Sequence, residues 1–127
     1  MTDCLDSWAI LRWLEGVEPA ASRVEVALAS GPVMSWINLG EVAYIVERLA
    51  GALRSRQVVT QLRHQLTLDL PTETRVLEAA RIKAVHPMAY ADAFAVATAI
   101  AHDCTLLTGD PEILNGDPTW PTLDLRS

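Results

Sequence analysis

Along this chain, short apolar runs alternate with longer stretches in which apolar residues recur every three or four positions. The first pattern predicts buried strands and the second amphipathic helices. Cys4-Leu5 reads as the end of a short strand, and Ser7 to Glu15 as a helix with Ile10, Leu11 and Leu14 on one face, stopped by Gly16. Pro19 to Ser30 is a second helix, with Ala20, Val24, Ala27 and Leu28 as its stripe, broken by Gly31-Pro32. Val33-Met34 is a buried strand. Asn38 to Ala50 reads as a helix with Val42, Ile45, Val46 and Leu49 inward, and Ala52 to Leu66 as another with Leu53, Val58, Leu62 and Leu66 inward. Leu68 to Leu70 is a third strand. Thr72 to Val85 is a helix capped by Thr72, with Val76, Leu77 and Ala80 facing the core. After His86-Pro87, Ala89 to His102 forms an Ala-rich helix; Thr105 to Thr108 and Leu123 to Leu125 are the last strands.

Helices that alternate with short strands predict an α/β fold: a three-layer, mainly parallel, short-stranded sheet flanked by helices. At 127 residues the chain fits a single domain over residues 1–127 and needs no metal or disulfide staple to bury a core. In such sheets, sites form beyond the carboxyl ends of the strands, near the point where strand order reverses. That places attention on side chains at the strand-to-helix junctions.

Composition narrows the classes. Half the residues are hydrophobic and a fifth are charged, which excludes a disordered chain. No apolar run approaches the ~18 residues of a membrane span. Asp3 and Asp6 stand where a secretory signal carries bases, so no signal is read and a cytoplasmic location is expected. The two cysteines, Cys4 and Cys104, make no disulfide framework and read as buried free thiols. The net charge is −6, which excludes a non-specific coat for nucleic acid. The charge is segregated, however. Residues 48–83 hold seven bases against three acids, between two acidic flanks. Arg forks suit phosphate, so Arg48, Arg54 and Arg56 are candidate phosphate contacts; a solvated helical face is the plainer reading of the same residues.

Four acids fall at the junctions: Asp6 after the first strand, Glu41 in the helix after the second, Asp92 in the first turn of the Ala-rich helix, and Asp110 after the fourth strand. Each has an ordinary structural use. Asp6 or Ser7 can cap a helix, Asn38-Leu39-Gly40-Glu41 fits a capping box, Asp92 complements a helix dipole, and Asp110-Pro111 suits an N-cap. Were the four to converge, they would repel one another and raise one another's pKa. With Mg²⁺ or Mn²⁺ among them, the same oxygens make a site for a hard metal. Other chemistries lack their residues. There is no Gly-rich phosphate loop or nucleophile elbow, and His64, His86 and His102 are isolated from the cysteines.

The matching motifs run through the chain. Leu5-Asp6-Ser7-Trp8-Ala9-Ile10-Leu11, Ser35-Trp36-Ile37-Asn38-Leu39-Gly40-Glu41-Val42, Tyr90-Ala91-Asp92-Ala93-Phe94-Ala95-Val96-Ala97 and Thr105-Leu106-Leu107-Thr108-Gly109-Asp110-Pro111-Glu112 stand in this order. The sequence resembles the PIN-domain nucleases, specifically the VapC-type toxins of bacterial toxin–antitoxin pairs. It departs from them in a polar first strand (Thr2, Asp3) and in Ile113 where an aromatic often stands.

The resemblance implies a Mg²⁺- or Mn²⁺-dependent ribonuclease with Asp6, Asp92 and Asp110 as ligands, and Glu41 ligating directly or through water. Ser7 is expected to orient Asp6, and Thr108 to orient Asp110. The substrate would be RNA, with structured RNA such as tRNA a family-level expectation. A cognate antitoxin and a homodimer are the implied partners. Residues 7–14 and 38–66 are expected to offer the antitoxin an apolar groove built on Trp8, Trp13, Leu53 and Val58. Two other readings compete. A phospho-acceptor receiver domain has this length, but the only Lys, Lys83, lies in a helix. A catalytically silent PIN-like binding module is the other; the complete set of acids argues against it.

Overall fold

The computed structural model describes residues 2–117 and 119–127; Met1 and Pro118 lie outside the described residues. Five strands of three or four residues form one sheet: β1 (Asp3–Leu5), β2 (Val33–Ser35), β3 (Thr67–Asp69), β4 (Thr105–Thr108) and β5 (Thr122–Asp124). All are parallel, in the order β3-β2-β1-β4-β5. The helices are α1 (Ser7–Glu15), α2 (Ala20–Leu28), α3 (Trp36–Ala50), α4 (Ala52–Gln65), α5 (Glu73–Val85), α6 (Tyr90–Ala101) and α7 (Pro111–Leu114). The expected three-layer α/β architecture is present. The order 3-2-1-4-5 is not the 2-1-3-4-5 order of a receiver-type sheet, and that reading falls.

Successive strand residues point to opposite faces, and they divide here between two cores. Leu5, Met34 and Leu107 pack with α1, α2, α3 and α4. Cys4, Val33 and Leu106 pack with α5 and α6, joined by Ile113 and Trp120. Both cysteines are buried free thiols. Burial of α6 is nearly total, from Asp92 through Ala99; its alanines let it lie close against the sheet. No single helix among the described residues is long and apolar enough to cross a membrane.

Several boundaries differ from expectation. The second helix is shorter, and β3 and β5 each begin one residue earlier. The third helix starts at Trp36 rather than Asn38, because the Ser35 hydroxyl accepts from the Ile37 N–H at 3.1 Å and caps it. That displaces the expected capping box of Asn38 and Glu41. Leu49, Leu53 and Leu77, expected inward, face outward; periodicity alone assigned a broader inward stripe than these helices bury. Gly16, at φ +69°, ends α1 in the left-handed region that glycine adopts without strain.

The reversal of strand order falls between β1 and β4. Asp6 leaves β1 on one side of it, and Thr108-Gly109-Asp110 leaves β4 on the other.

Candidate functional site

Asp6 caps α1. One carboxylate oxygen accepts from the Ala9 N–H at 2.9 Å and the other from the Thr108 hydroxyl. The side chain is 1% exposed. Burial raises its pKa from 3.8 to about 7, against the lowering effect of the two hydrogen bonds, and the Asp110 charge adds to the rise. The Thr108 hydroxyl also accepts from the Asp110 N–H at 3.0 Å, so one side chain joins the ends of β1 and β4. Asp110 in turn caps α7, accepting from the Glu112 N–H at 2.9 Å. Ser7 does not orient Asp6: its hydroxyl donates to Glu41. The reason is geometric. Asp6 turns inward to cap its own helix, while Ser7, one residue on, faces α3. Thr108, expected to orient Asp110, holds the backbone of Asp110 and the carboxylate of Asp6.

Asp92 lies in the first turn of α6 and is 7% exposed. Burial first, then the charges of Asp110, Asp6 and Glu41, hold its pKa well above the usual carboxylate range. Oxygens of Asp92, Asp110 and Glu112 all lie within 4.8 Å of one another. They open on a cleft of about 270 Å³ that Ser7, Trp8 and Glu41 also line. No Lys or Arg lines this cleft. Beside it, the Asn38 side chain donates to the Ala91 carbonyl at 2.9 Å, while its own oxygen is buried without a partner among the described residues. An all-oxygen, anionic donor set with no protein cation suits Mg²⁺ or Mn²⁺.

Of the four expected acids, Asp92 and Asp110 meet directly. Glu41 shares their cleft, and Asp6 lies buried beneath the β4–α7 junction, bound to Thr108. Glu112 was not among the acids singled out from sequence. Its signal is its place two residues after Asp110, with Pro111 opening α7 and setting its first turn toward the cleft.

None of the basic residues of the middle segment lines this cleft. Arg75 is spent on Asp69, with contacts of 2.8 and 3.2 Å, and on Glu78. Lys83 donates to the Met88 carbonyl at 2.8 Å. Arg48 lies over Tyr44 and Arg63 over Trp36. Arg54 lines a second cleft of about 370 Å³ between α1 and the α3–α4 pair, walled by Leu14, Val46 and Leu49. This apolar groove shares Leu11 and Ile45 with the acidic cleft, so the two run together. Of the residues expected to build it, Val58 is in its floor, Trp8 belongs to the acidic cleft, and Trp13 and Leu53 stand outside.

No curated protein sequence matches the chain significantly. Among solved structures, VapBC2 from Rickettsia felis bound to a promoter DNA fragment aligns with a TM-score of 0.77 at 14% identity, covering 98% of both chains. VapBC-1 from nontypeable Haemophilus influenzae gives 0.75 at 20% identity over 100% of both. VapC20 from Mycobacterium tuberculosis, a sarcin–ricin-loop-cleaving toxin, gives 0.70 at 14% identity over 87% of this chain and 92% of that one. At these identities the likeness is one of fold. The family model for the PIN domain matches residues 4–116, nearly the whole chain and every acid of the cleft, and the protein therefore belongs to the PIN domain family.

Proposed function

We propose that the chain is a divalent-metal-dependent endoribonuclease, a single PIN domain over residues 1–127, acting as the toxin of a type II toxin–antitoxin pair in the cytoplasm. The observation that carries the reading is the anionic cleft at the strand-order reversal, where Asp92, Asp110 and Glu112 converge with no protein base among them. These three would hold Mg²⁺ or Mn²⁺, with Glu41 reaching it directly or through water. When bound, such a cation activates water for attack on a phosphodiester and stabilises charge on the phosphate oxygens.

The chain's own residues prepare the site. Thr108 ties Asp6 to the backbone of Asp110 and fixes the junction that carries Asp110 and Glu112. Ser7 holds Glu41 in one orientation. Burial holds the pKa of Asp6 and Asp92 well above the usual carboxylate range, which limits repulsion among the clustered acids.

RNA as substrate is supported by the fold shared with a sarcin–ricin-loop-cleaving toxin; structured RNA, tRNA included, is the class proposed. The antitoxin would lie in the apolar groove that Leu11 and Ile45 connect to the acidic cleft, so that its end reaches the carboxylates. A homodimer completes the proposal. Arg48, Arg54 and Arg56 are proposed as RNA contacts from outside the cleft.

The test is cleavage of end-labelled tRNA and ribosomal RNA by the purified chain with Mg²⁺, with Mn²⁺ and with EDTA, alongside Asp92→Asn and Asp110→Asn. The expected result is metal-dependent cleavage that both variants lose. Cleavage indifferent to EDTA would overturn the metal reading. Absence of cleavage by a folded, metal-loaded chain would favour the silent binding module.

A further inference from the structure

Gly109 sits between Thr108 and Asp110, and it is buried. Its backbone is not in the left-handed region, so conformational freedom does not explain it. Space does. A Cβ at this position would lie 2.3 Å from Cζ2 and Cη2 of Trp8 and 2.6 Å from its Cε2. The indole is seated against the bare Cα of the β4–α7 junction. Trp8 itself is the second residue of α1, two residues beyond Asp6, so its backbone is anchored to β1. The ring spans from the end of β1 to the end of β4. The Arg12 guanidinium, held by Glu15 at 3.1 Å, lies over it, 4.8 Å from the ring centroid. Trp8 also lines the acidic cleft beside Asp110 and Glu112.

We propose that Trp8 is a positioning residue: its contact with Gly109 sets where the β4–α7 junction holds Asp110 and Glu112 relative to Asp92. The proposal rests on the metal-dependent reading above. Three carboxylates within 4.8 Å of one another repel when ionised, and the junction is the element that can move away from α6. Two polar contacts hold it from beneath, Thr108 to Asp6 and the Asp110 N–H to Thr108. The indole adds a third, steric contact, which fixes how closely Gly109 can approach α1. The indole braces Gly109 through packing alone: among the described residues its N–H makes no hydrogen bond. An arrangement braced in this way receives a cation with little rearrangement, whereas an unbraced one must gather its ligands first.

The experiment measures Mn²⁺ affinity by calorimetry and by the free-ion EPR signal on the full chain, with folding checked by circular dichroism. Wild type, Trp8→Phe, Trp8→Ala, Gly109→Ala and the double variant Trp8→Ala/Gly109→Ala are compared. Trp8→Ala and Gly109→Ala are each expected to weaken Mn²⁺ binding about tenfold, the usual effect of removing a support behind metal ligands. In the Trp8→Ala background, Gly109→Ala should cost less than about twofold, because the clash is gone. Trp8→Phe, whose smaller ring lacks the Cζ2 and Cη2 atoms that meet Gly109, should fall between wild type and Trp8→Ala. Should Gly109→Ala fail to fold, the Phe and Ala variants at position 8 carry the test by the same contrast. The proposal is overturned if folded Trp8→Ala binds Mn²⁺ like wild type while only its stability drops. It is overturned equally if Gly109→Ala costs the same in both backgrounds. If wild type binds no Mn²⁺ at millimolar concentration, the metal reading fails first and the proposal falls with it.

Discussion

Replacing Asp6 by Asn should make the metal-free protein more stable, and only above the acid range. The substitution keeps shape and keeps an oxygen for the Ala9 N–H. It removes a charge that is 1% exposed. Asp6 titrates near pH 7 in the folded chain and near 3.8 when unfolded. Between those values the native state keeps a proton that the unfolded state has released, so wild-type stability falls as pH rises through this window and then levels off. A rise of roughly three units, at 1.36 kcal/mol each, amounts to about 4 kcal/mol of destabilisation at pH 8. Asn escapes that cost. It loses something because the Thr108 hydroxyl, which donates to Asp6 and accepts from Asp110, must turn to accept from the new amide, at about 1 kcal/mol. The net expectation is a gain of about 3 kcal/mol at pH 8 and almost none at pH 4. The assay is equilibrium urea unfolding of wild type and Asp6→Asn in EDTA at both pH values, followed by circular dichroism and Trp fluorescence. A variant no more stable than wild type at pH 8, or one whose advantage is equal at the two pH values, would refute the reasoning.

Other consequences are equally open to measurement. Glu112→Gln should weaken Mn²⁺ binding about tenfold in calorimetry, while urea unfolding in EDTA shows no loss of stability. Arg54→Ala/Arg56→Ala should raise the apparent KM for RNA and flatten the fall of cleavage with salt, with kcat little changed; neither guanidinium has a carboxylate partner among the described residues. Arg75→Ala should cost about 2 kcal/mol in urea unfolding, because it strips the bidentate partner from a carboxylate that is 10% exposed. Burial pulls Asp69 upward, but the hydrogen bonds of Arg75 and His102 outweigh it and lower its pKa. The stability Asp69 contributes is therefore present above 3.8 and lost as the pH falls further, and Arg75→Ala should reduce that loss.

The architecture was legible because hydrophobic period and Gly/Pro punctuation act locally. Ser7–Glu15 and Thr105–Thr108 are placed to the residue by them. The acids were legible as junction residues, since parallel sheets direct chemistry to that edge. Hydrogen-bond partners were not. Ser7 pairs with Glu41, 34 positions away, and Thr108 with Asp6, 102 positions away; nothing in local spacing distinguishes these pairs from the neighbouring ones the sequence suggested. The bases of the middle segment had the same limit. Charge counts locate seven bases, but only tertiary packing shows that Asp69 consumes Arg75. Glu112 carries no periodic signal, because a four-residue helix has too few positions to display one. The need for glycine at 109 comes from a side chain a hundred positions earlier.

That distance has a bearing on when activity can arise. The pairing of β1 with β4 joins segments about a hundred residues apart, and the central strand has no neighbour on its β4 side until residues 105–108 exist. Closing so long a loop carries an entropic cost that the three-residue contact of β1 repays only if α6 is already packed beneath it. During synthesis, then, the carboxylates cannot assemble before Asp110 and Glu112 have cleared the exit tunnel and can meet Asp92. Any activity that depends on these carboxylates therefore waits until β4 and α7 have been made and have paired with β1. A shortened product that ends before β4 would lack the cleft altogether.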